Sequence, residues 1–166
     1  MKNNDAVKCS DKATFYKILI VRLEGLLSSE EDWLANLSNA SALLYNNLDN
    51  INWLGFYLFK NGELVLGPFQ GKTACTRIKL GKGVCGTSAQ KRETLLVSDV
   101  HEFEGHIACD SASRSEIVVP IMVNNDLAAV LDVDSPTEDR FDDIDKIYLE
   151  KFVDKLNKYI DWSKVC

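Results

Sequence analysis

The stretch INWLGFYLFKNGELVLGPF, residues 51–69, decides the fold. Two apolar runs flank Asn61 and Gly62, and an Asn-Gly pair between such runs is the strongest short-range signal for a β-hairpin. A second pair of apolar runs, EIVVPIMV and DLAAVLDVD, is separated by the polar residues 124–126 and predicts a second hairpin. The chain is therefore expected to be built on antiparallel strands.

The helical patterns around these hairpins predict an α+β domain. Apolar residues recur at helical spacing before the first hairpin, over residues 11–49, and after the second one, over residues 142–161. The pattern Ser28-x-x-Glu31 is typical of a capping box and predicts that the second helix starts there. We therefore expect a central antiparallel sheet, with active-site loops, over residues 51–135 and terminal helices packed on it.

Details of the sheet follow from the residue types. The segments FYLF and AAVL are the most apolar, so we expect their strands to lie at the centre. Pro120 lacks the amide hydrogen that a strand ladder uses, which predicts an edge position or a strand irregularity. Residues 71–105 are richer in glycine and charge, and they predict loops around a short helix near 87–91 and a short strand at 94–97.

Length, charge and cysteine content narrow the functional classes. The chain has 166 residues, 46% of them apolar, which fits a single domain over residues 1–166. Its 25 acidic and 19 basic side chains give a net charge of −6, which supplies no basic surface for nucleic acid or anionic lipid. The apolar run at 18–21 is too short for a signal peptide or a membrane span, so we expect a cytoplasmic protein. Five cysteines without a C-x-x-C pair indicate thiols, with any disulfide transient.

Two familiar motifs are weak in this context. GKGVCG, residues 81–86, matches the G-x-G-x-x-G dinucleotide fingerprint, but a charged, alternating segment precedes it instead of a βαβ unit, so we expect no NAD site. Soft metal ligands also cluster in the middle of the chain, but their spacings match no short zinc-binding pair, so the sequence predicts no metal site. These ligands are Cys75, Cys85, His101, His106 and Cys109.

Three cysteines, Cys75, Cys85 and Cys109, lie among small, polar or glycine residues rather than in apolar runs. A free cysteine is usually a buried small hydrophobe, but this setting is typical of loops and helix starts. If the segment SASRSE forms a turn of helix, the thiol of Cys109 lies at its N-terminus, where the pKa of a thiol falls. Cys9 and Cys166, in the polar termini, belong to no such group.

Acidic side chains share a face of the second hairpin. The strand period places Val130, Asp132 and Asp134 on one face, and Glu116 begins the partner strand. For Asp134 taken alone, the favoured interpretation is a turn that starts at the strand end. Clustered carboxylates with little water raise one another's pKa, so one of them would hold a proton near neutral pH and could donate it.

Trp53 and Tyr57 share a face of the first hairpin, because they are four residues apart on a predicted strand. Ordinary core packing is one interpretation of the pair. If this face meets the face of Asp132 and Asp134, the two rings form an aromatic wall beside acids and thiols. Such a cavity suits a small ligand with one methyl-bearing end and one polar group.

Five segments together resemble one enzyme family: NWLGFYLF, GPFQGKTACTRI, GKGVCGTSA, VSDVHEFEGHIACDSASRSEIVVPI and LDVDSP. They are similar to the free methionine-(R)-sulfoxide reductases, which are stand-alone GAF-domain enzymes, strongly over residues 52–141 and by pattern in the flanking helices. Ordinary GAF domains share the fold but not the three cysteines with GHIACD. The resemblance implies a GAF-like fold, free methionine sulfoxide as substrate, no cofactor, a thioredoxin-like reductant and a homodimer.

The resemblance also implies roles for the thiols. Cys109 matches the nucleophile, which attacks the sulfoxide sulfur and becomes a sulfenic acid as methionine leaves. Cys75 matches the resolving thiol, which condenses with that acid to form a disulfide that an external dithiol reduces. Cys85 matches a nearby thiol that substitutes for Cys75 or relays the oxidation.

Pocket residues are implied in the same way. Glu116, Asp132 and Asp134 match acidic residues of the family, and either Glu116 or the Asp134 side of the cluster donates a proton to the oxygen. Asp132 and Asp134 are also candidate partners for the substrate's ammonium group. Trp53 and Tyr57 match the wall that holds the substrate's methyl group.

Two other functions stay open on the sequence. One is a non-catalytic GAF module that binds a small effector, although such a module is normally fused to an output domain. The other is a thiol redox sensor in which Cys75 and Cys109 switch a binding surface without any substrate. Only the enzyme requires Glu116.

Overall fold

A computed structural model describes residues 11–105 and 112–165. In these ranges four α-helices, two 3-10 helices and six strands are present. The α-helices are α1 (Lys12–Leu27), α2 (Trp33–Tyr45), α3 (Gly83–Lys91) and α4 (Asp143–Leu156), and the 3-10 helices span Val100–Glu102 and Trp162–Lys164. The strands are β1 (Trp53–Lys60), β2 (Glu63–Gly71), β3 (Arg77–Lys79), β4 (Leu95–Val97), β5 (Ser115–Val123) and β6 (Asp126–Ser135).

Two β-hairpins build the sheet, as the sequence predicts. β1 turns into β2 through Asn61 and Gly62, whose φ angles of 52° and 87° are both positive, as a type I′ turn requires. The strand order is β3-β2-β1-β6-β5-β4, so the two most apolar strands, β1 and β6, lie at the centre. All five pairings are antiparallel. The predicted α+β fold with a central antiparallel sheet is confirmed.

The two faces of the sheet carry different layers. One face packs against α2 and α4, on which α1 lies, and buries the main apolar core, which includes Leu54 and Leu131. The other face carries α3 and buries a smaller cluster that includes Tyr57 and Val118. Because successive side chains on a strand point to opposite faces, the central strands are buried on both sides. The second face is the one that holds the predicted site residues.

Pro120 lies where its missing amide hydrogen disturbs the sheet least. The pairing of β4 with β5 runs from Glu116 to Val118 and stops before Pro120. β5 also has a register irregularity between Ile121 and Met122. Both observations agree with the predicted edge or irregular position.

The start of α2 differs from the sequence prediction. Asp32 is its N-cap, and its carboxylate accepts a hydrogen bond from the backbone amide of Ala35. Ser28 instead ends α1 as its C-cap. The capping box expected at Ser28 and Glu31 is therefore wrong, because α2 starts only at Trp33, where Asp32 caps its first turn, and the Glu31 amide donates to the Glu30 carboxylate instead.

The end of α4 is set by a side chain that ties it to the rest of the fold. The helix ends at Leu156, before the expected residue 161. The Asn157 amide donates to the Met122 carbonyl at 3.3 Å and accepts from the Trp162 indole at 3.0 Å. These bonds hold the following residues in turns and in the last 3-10 helix. Across the described ranges, no helix is both long and apolar enough to span a bilayer.

Candidate active site

Three neighbouring strands bring the predicted pocket residues to one face of the sheet. The register aligns Trp53 of β1 with Asp134 of β6, and Asp134 with Glu116 of β5. One step along, Gly55 lies opposite Asp132. Residues that pair across antiparallel strands point to the same face. The structure thus brings the predicted acids and Trp53 together on one face of the sheet, in two neighbouring rows that run across the strands.

Glu116 and Asp132 form a buried carboxyl pair, and each is only 6% exposed. Burial raises the pKa of Glu116 well above its ordinary value, and the negative charges of Asp132 and Asp134 raise it further. Burial also raises the pKa of Asp132, to about 6. Because the cost of ionisation is larger for Glu116, a proton on the pair near neutral pH resides on Glu116. The site therefore holds a proton donor beside a carboxylate.

Cys85 reaches these acids from the first turn of α3. That helix starts at Gly83, before the expected residue 87. Glycine is a poor helix former, but the packing of Val84 and Cys85 into the cluster under this face of the sheet outweighs its low propensity. The sequence could not reveal this packing, since it depends on strands far along the chain.

The thiol of Cys85 lies in direct contact with the carboxyl pair. Its Sγ donates to Oε1 of Glu116 across 3.8 Å. Burial raises the pKa of Cys85 well above its ordinary value, and the charges of Asp132 and Glu116 raise it further. Cys85 is therefore held as a neutral thiol, which is a weak nucleophile.

The aromatic wall contains three stacked rings. The Trp53 ring lies 5.8 Å from that of Tyr57 and 5.4 Å from that of Phe69, measured between centroids. The Trp53 indole donates to the Lys72 carbonyl at 3.0 Å, and the Tyr57 hydroxyl donates to the Cys75 carbonyl at 3.1 Å. Both polar ends are thus bonded to the loop that follows β2, which fixes the rings relative to Cys75.

Phe69 is a wall residue that sequence reasoning missed, and a β-bulge is the reason. Near the turn, Tyr57 pairs with Leu66. An unbroken register would then place Phe69 opposite Leu54, whose side chain belongs to the core under the helices. A register shift between Gly55 and Tyr57 instead pairs Phe69 with Gly55. The bulge therefore moves the ring to the pocket face.

Gly55 has no side chain, and the Trp53 ring occupies the space that a side chain would need. A Cβ atom at this position would be 2.4 Å from Cβ of Phe69 and 2.7 Å from Cη2 of Trp53. We expect Gly55→Ala to lower the free energy of unfolding by about 1–3 kcal/mol, because the overpacked rings must shift. Denaturant unfolding measures the loss, and the emission of the folded protein reports the displaced indole.

Gly25→Ala is the matched control for that change. Gly25 lies in α1, and a Cβ atom there would meet no heavy atom within 4 Å. We expect this variant to be more stable than the parent by up to about 1 kcal/mol, because alanine favours the helix. Equal stability of the two variants would contradict the role given to Gly55.

Cys75 lies half-buried at the edge of the wall and is disulfide-bonded. Cys85 is a free thiol, so the partner of Cys75 lies outside the described residues. Cys109, the implied nucleophile, falls in the range 106–111 that is not described. Of the soft ligands considered for zinc, His101 lies in the 3-10 helix Val100–Glu102, where its amide donates to Asp99.

Known proteins resemble this chain over most of its length. The model of the GAF domain family matches residues 23–160. A protein of Escherichia coli named free methionine-R-sulfoxide reductase is 49% identical over 150 residues, which cover 90% of this chain and 91% of that protein. The structure of fRMsr of Staphylococcus aureus in complex with substrate is 53% identical, with a TM-score of 0.83, and the match covers 87% of this chain and 94% of that one. Free methionine-R-sulfoxide reductase of Neisseria meningitidis in complex with its substrate is 43% identical, with a TM-score of 0.89 and 95% of both chains covered.

Proposed function

This chain belongs to the free methionine-R-sulfoxide reductase family of GAF-domain proteins, and from that membership we propose that it reduces free methionine-(R)-sulfoxide to methionine. The observation that carries the proposal is the buried pair of Glu116 and Asp132 facing the aromatic wall. A proton donor next to an apolar surface suits a sulfoxide, since its oxygen must be protonated while its methyl group needs an apolar contact.

The pocket supplies complementary groups for each part of the substrate. The rings of Trp53 and Tyr57 pack on the methyl group. Oδ1 of Asp132 is buried and has no hydrogen-bond partner within the described ranges, so it can accept from the substrate's ammonium group, together with Asp134. A peptide-bound methionine lacks that ammonium group and would leave the acid unpaired, which favours the free amino acid.

Three side chains, those of Cys109, Glu116 and Cys75, carry out the proposed reduction. The Cys109 thiolate attacks the sulfoxide sulfur, and Glu116 donates its proton to the oxygen. The hydroxyl group then passes from the substrate sulfur to the Cys109 sulfur, as the S–O bond of the substrate and the new bond between the two sulfurs break, so that methionine leaves and Cys109 is oxidised to a sulfenic acid. Cys75 then attacks the Cys109 sulfur, which forms a disulfide and releases water. An external dithiol, with thioredoxin as the proposed reductant, returns both thiols, so no bound cofactor takes part.

The site geometry favours Cys75 over Cys85 as the resolving thiol. Burial and neighbouring carboxylates keep Cys85 protonated, whereas attack on a sulfenic acid needs a thiolate. Cys75 is half-buried and is already disulfide-bonded. Cys85 is then a relay that acts after the first disulfide has formed.

A cytoplasmic homodimer is part of the same proposal. Reduction by a dithiol protein requires a reducing compartment. Large apolar side chains are exposed on the outer helices, which offers a surface for a second copy; these are Ile18, Val21 and Leu26 of α1, Leu34 of α2, and Ile144 and Ile147 of α4. Light scattering during size-exclusion chromatography measures the mass of the protein in solution. A mass near 18.6 kDa, that of one chain, would contradict the dimer.

A substrate comparison tests the function. The reduced protein is incubated with excess dithiol and each diastereomer of free methionine sulfoxide, and in parallel with N-acetylated and peptide-bound sulfoxide. We expect methionine, quantified by chromatography, from the free R form alone. Methionine from the peptide would contradict the proposed specificity. No product from any form, with the protein folded and its thiols reduced, would favour the non-catalytic GAF module.

A further inference from the structure

Cys85, Glu116 and Asp132 form a ligand set that no single stretch of sequence reveals. One ligand atom of each lies within 4.8 Å of the others, and all three residues are buried. They come from α3, β5 and β6, which are distant along the chain. Zinc motifs are recognised by pairs of ligands a few residues apart, and Cys85, Glu116 and Asp132 are too far apart in the sequence to form such a pair.

The distance between the thiol and one of the carboxylates suits a small tetrahedral ion. Sγ of Cys85 lies 3.8 Å from Oε1 of Glu116. Tetrahedral Zn²⁺, with Zn–S near ~2.3 Å and Zn–O near ~2.1 Å, holds its sulfur and oxygen ligands about 3.6 Å apart. To bind the ion, these two ligand atoms therefore need to approach each other by only about a few tenths of an ångström. Three protein ligands leave the fourth position for water.

An unpaired oxygen points to a cation independently of this geometry. Oδ1 of Asp132 has no hydrogen-bond partner within the described ranges, although the residue is only 6% exposed. A buried carboxylate oxygen without a partner is costly, and a donor or a metal ion removes the cost. The negative charges of Asp132 and Asp134 both raise the pKa of the neighbouring Glu116, so the surroundings are acidic and a positive ion is the fitting occupant.

We propose that Cys85, Glu116 and Asp132 bind Zn²⁺ and that the ion reversibly inhibits the enzyme. One thiolate with two carboxylates selects an ion of borderline softness such as Zn²⁺ or Cd²⁺ over Mg²⁺ or Ca²⁺. Inhibition follows because the ion occupies the proton donor and the oxygen that the substrate's ammonium group needs. The inhibition rests on the proposed function, whereas the binding rests on the cluster alone.

Cd²⁺ titration of the reduced full-length chain tests the binding without any substrate. The protein is freed of reductant under nitrogen, and the ultraviolet charge-transfer band of a Cd²⁺–thiolate bond is followed. We expect one tightly bound ion per chain, displaced by Zn²⁺. Cys85→Ser should remove this band. Asp132→Asn, which keeps all five cysteines, should weaken binding by at least about tenfold.

Asp126→Asn is the matched control, because Asp126 is an exposed carboxylate at the start of the same strand, β6. We expect its Cd²⁺ affinity to equal that of the parent. Absence of the band in the parent would overturn the proposal, because no Cd²⁺–thiolate bond would have formed. Equal affinity in Asp132→Asn and the parent would also overturn it, because the ion would then bind other thiols. Circular dichroism verifies folding, and Glu116→Gln replaces Asp132→Asn if the latter does not fold.

The inhibition is measured separately with free methionine sulfoxide and buffered Zn²⁺. We expect the ion to raise the apparent KM, and a chelator to restore the rate. Activity that is insensitive to Zn²⁺ at concentrations that saturate the site would overturn the inhibition. No turnover even with chelator present would instead refute the proposed function, and the Cd²⁺ titration would still decide the binding.

Discussion

Cys109→Ser is expected to abolish turnover, with the single-turnover rate lowered by at least about a thousandfold. A serine hydroxyl is not ionised near neutral pH and cannot accept the oxygen to form a sulfenic acid, so the first step has no substitute. The sequence supports this assignment, because Cys109 lies in GHIACD and is followed by small polar residues. The neutral state of Cys85 supports it as well, since this thiol contacts Glu116 and is a poor nucleophile.

Single-turnover formation of methionine, with reduced protein in excess over substrate, measures that loss. Cys166→Ser is the control, because this cysteine lies in the polar C-terminus and belongs to no group of candidate thiols. We expect the control to react like the parent. Retained activity in Cys109→Ser would show that another thiol attacks the sulfoxide and would end the assignment of Cys109 as nucleophile.

Glu116→Gln should slow the chemical step by about a hundredfold to ten thousandfold while changing substrate affinity little. Glutamine has the same shape and can still donate a hydrogen bond to the sulfoxide oxygen, but it cannot transfer a proton. The expected loss is large because burial and the charges of Asp132 and Asp134 keep Glu116 protonated, ready to donate. A carboxyl group that was ionised in the resting site would show a much smaller effect.

The two parts of this prediction are measured separately. The rate comes from single-turnover experiments at saturating substrate, and the affinity comes from the change in tryptophan emission, since Trp53 lies in the wall. Glu102→Gln is the control, because Glu102 is exposed on the 3-10 helix Val100–Glu102. An unchanged rate in Glu116→Gln would move the proton donor to the side of Asp132 and Asp134.

These predictions and the proposed zinc site concern the same buried acids. Glu116 is the proposed proton donor in catalysis and a proposed ligand of the inhibiting ion, and Asp132 is proposed to bind either the substrate or the metal. The two occupants therefore exclude each other. Activity assays should accordingly contain a chelator, so that inhibition by trace Zn²⁺ is not mistaken for the effect of a weak nucleophile or a poor acid.

The sequence by itself determined the strand framework and much of the pocket composition. Asn61 and Gly62 specify a tight hairpin through local backbone preferences, which need no distant contact. The period of two along a strand places Asp132 and Asp134 on one face for the same local reason. The resemblance to a family then implied thiol roles that periodicity cannot indicate.

Only the tertiary structure decided how these parts meet. The bulge in the first hairpin moves Phe69 to the pocket face, and packing on the sheet starts α3 early enough to bring Cys85 against Glu116. The raised pKa of Glu116 follows from burial under this helix. Bulges, helix starts and burial all depend on contacts between residues distant in the chain, whose free energies outweigh local propensity. For that reason the burial that keeps Glu116 protonated and the proposed metal-ligand set become visible only in the folded molecule.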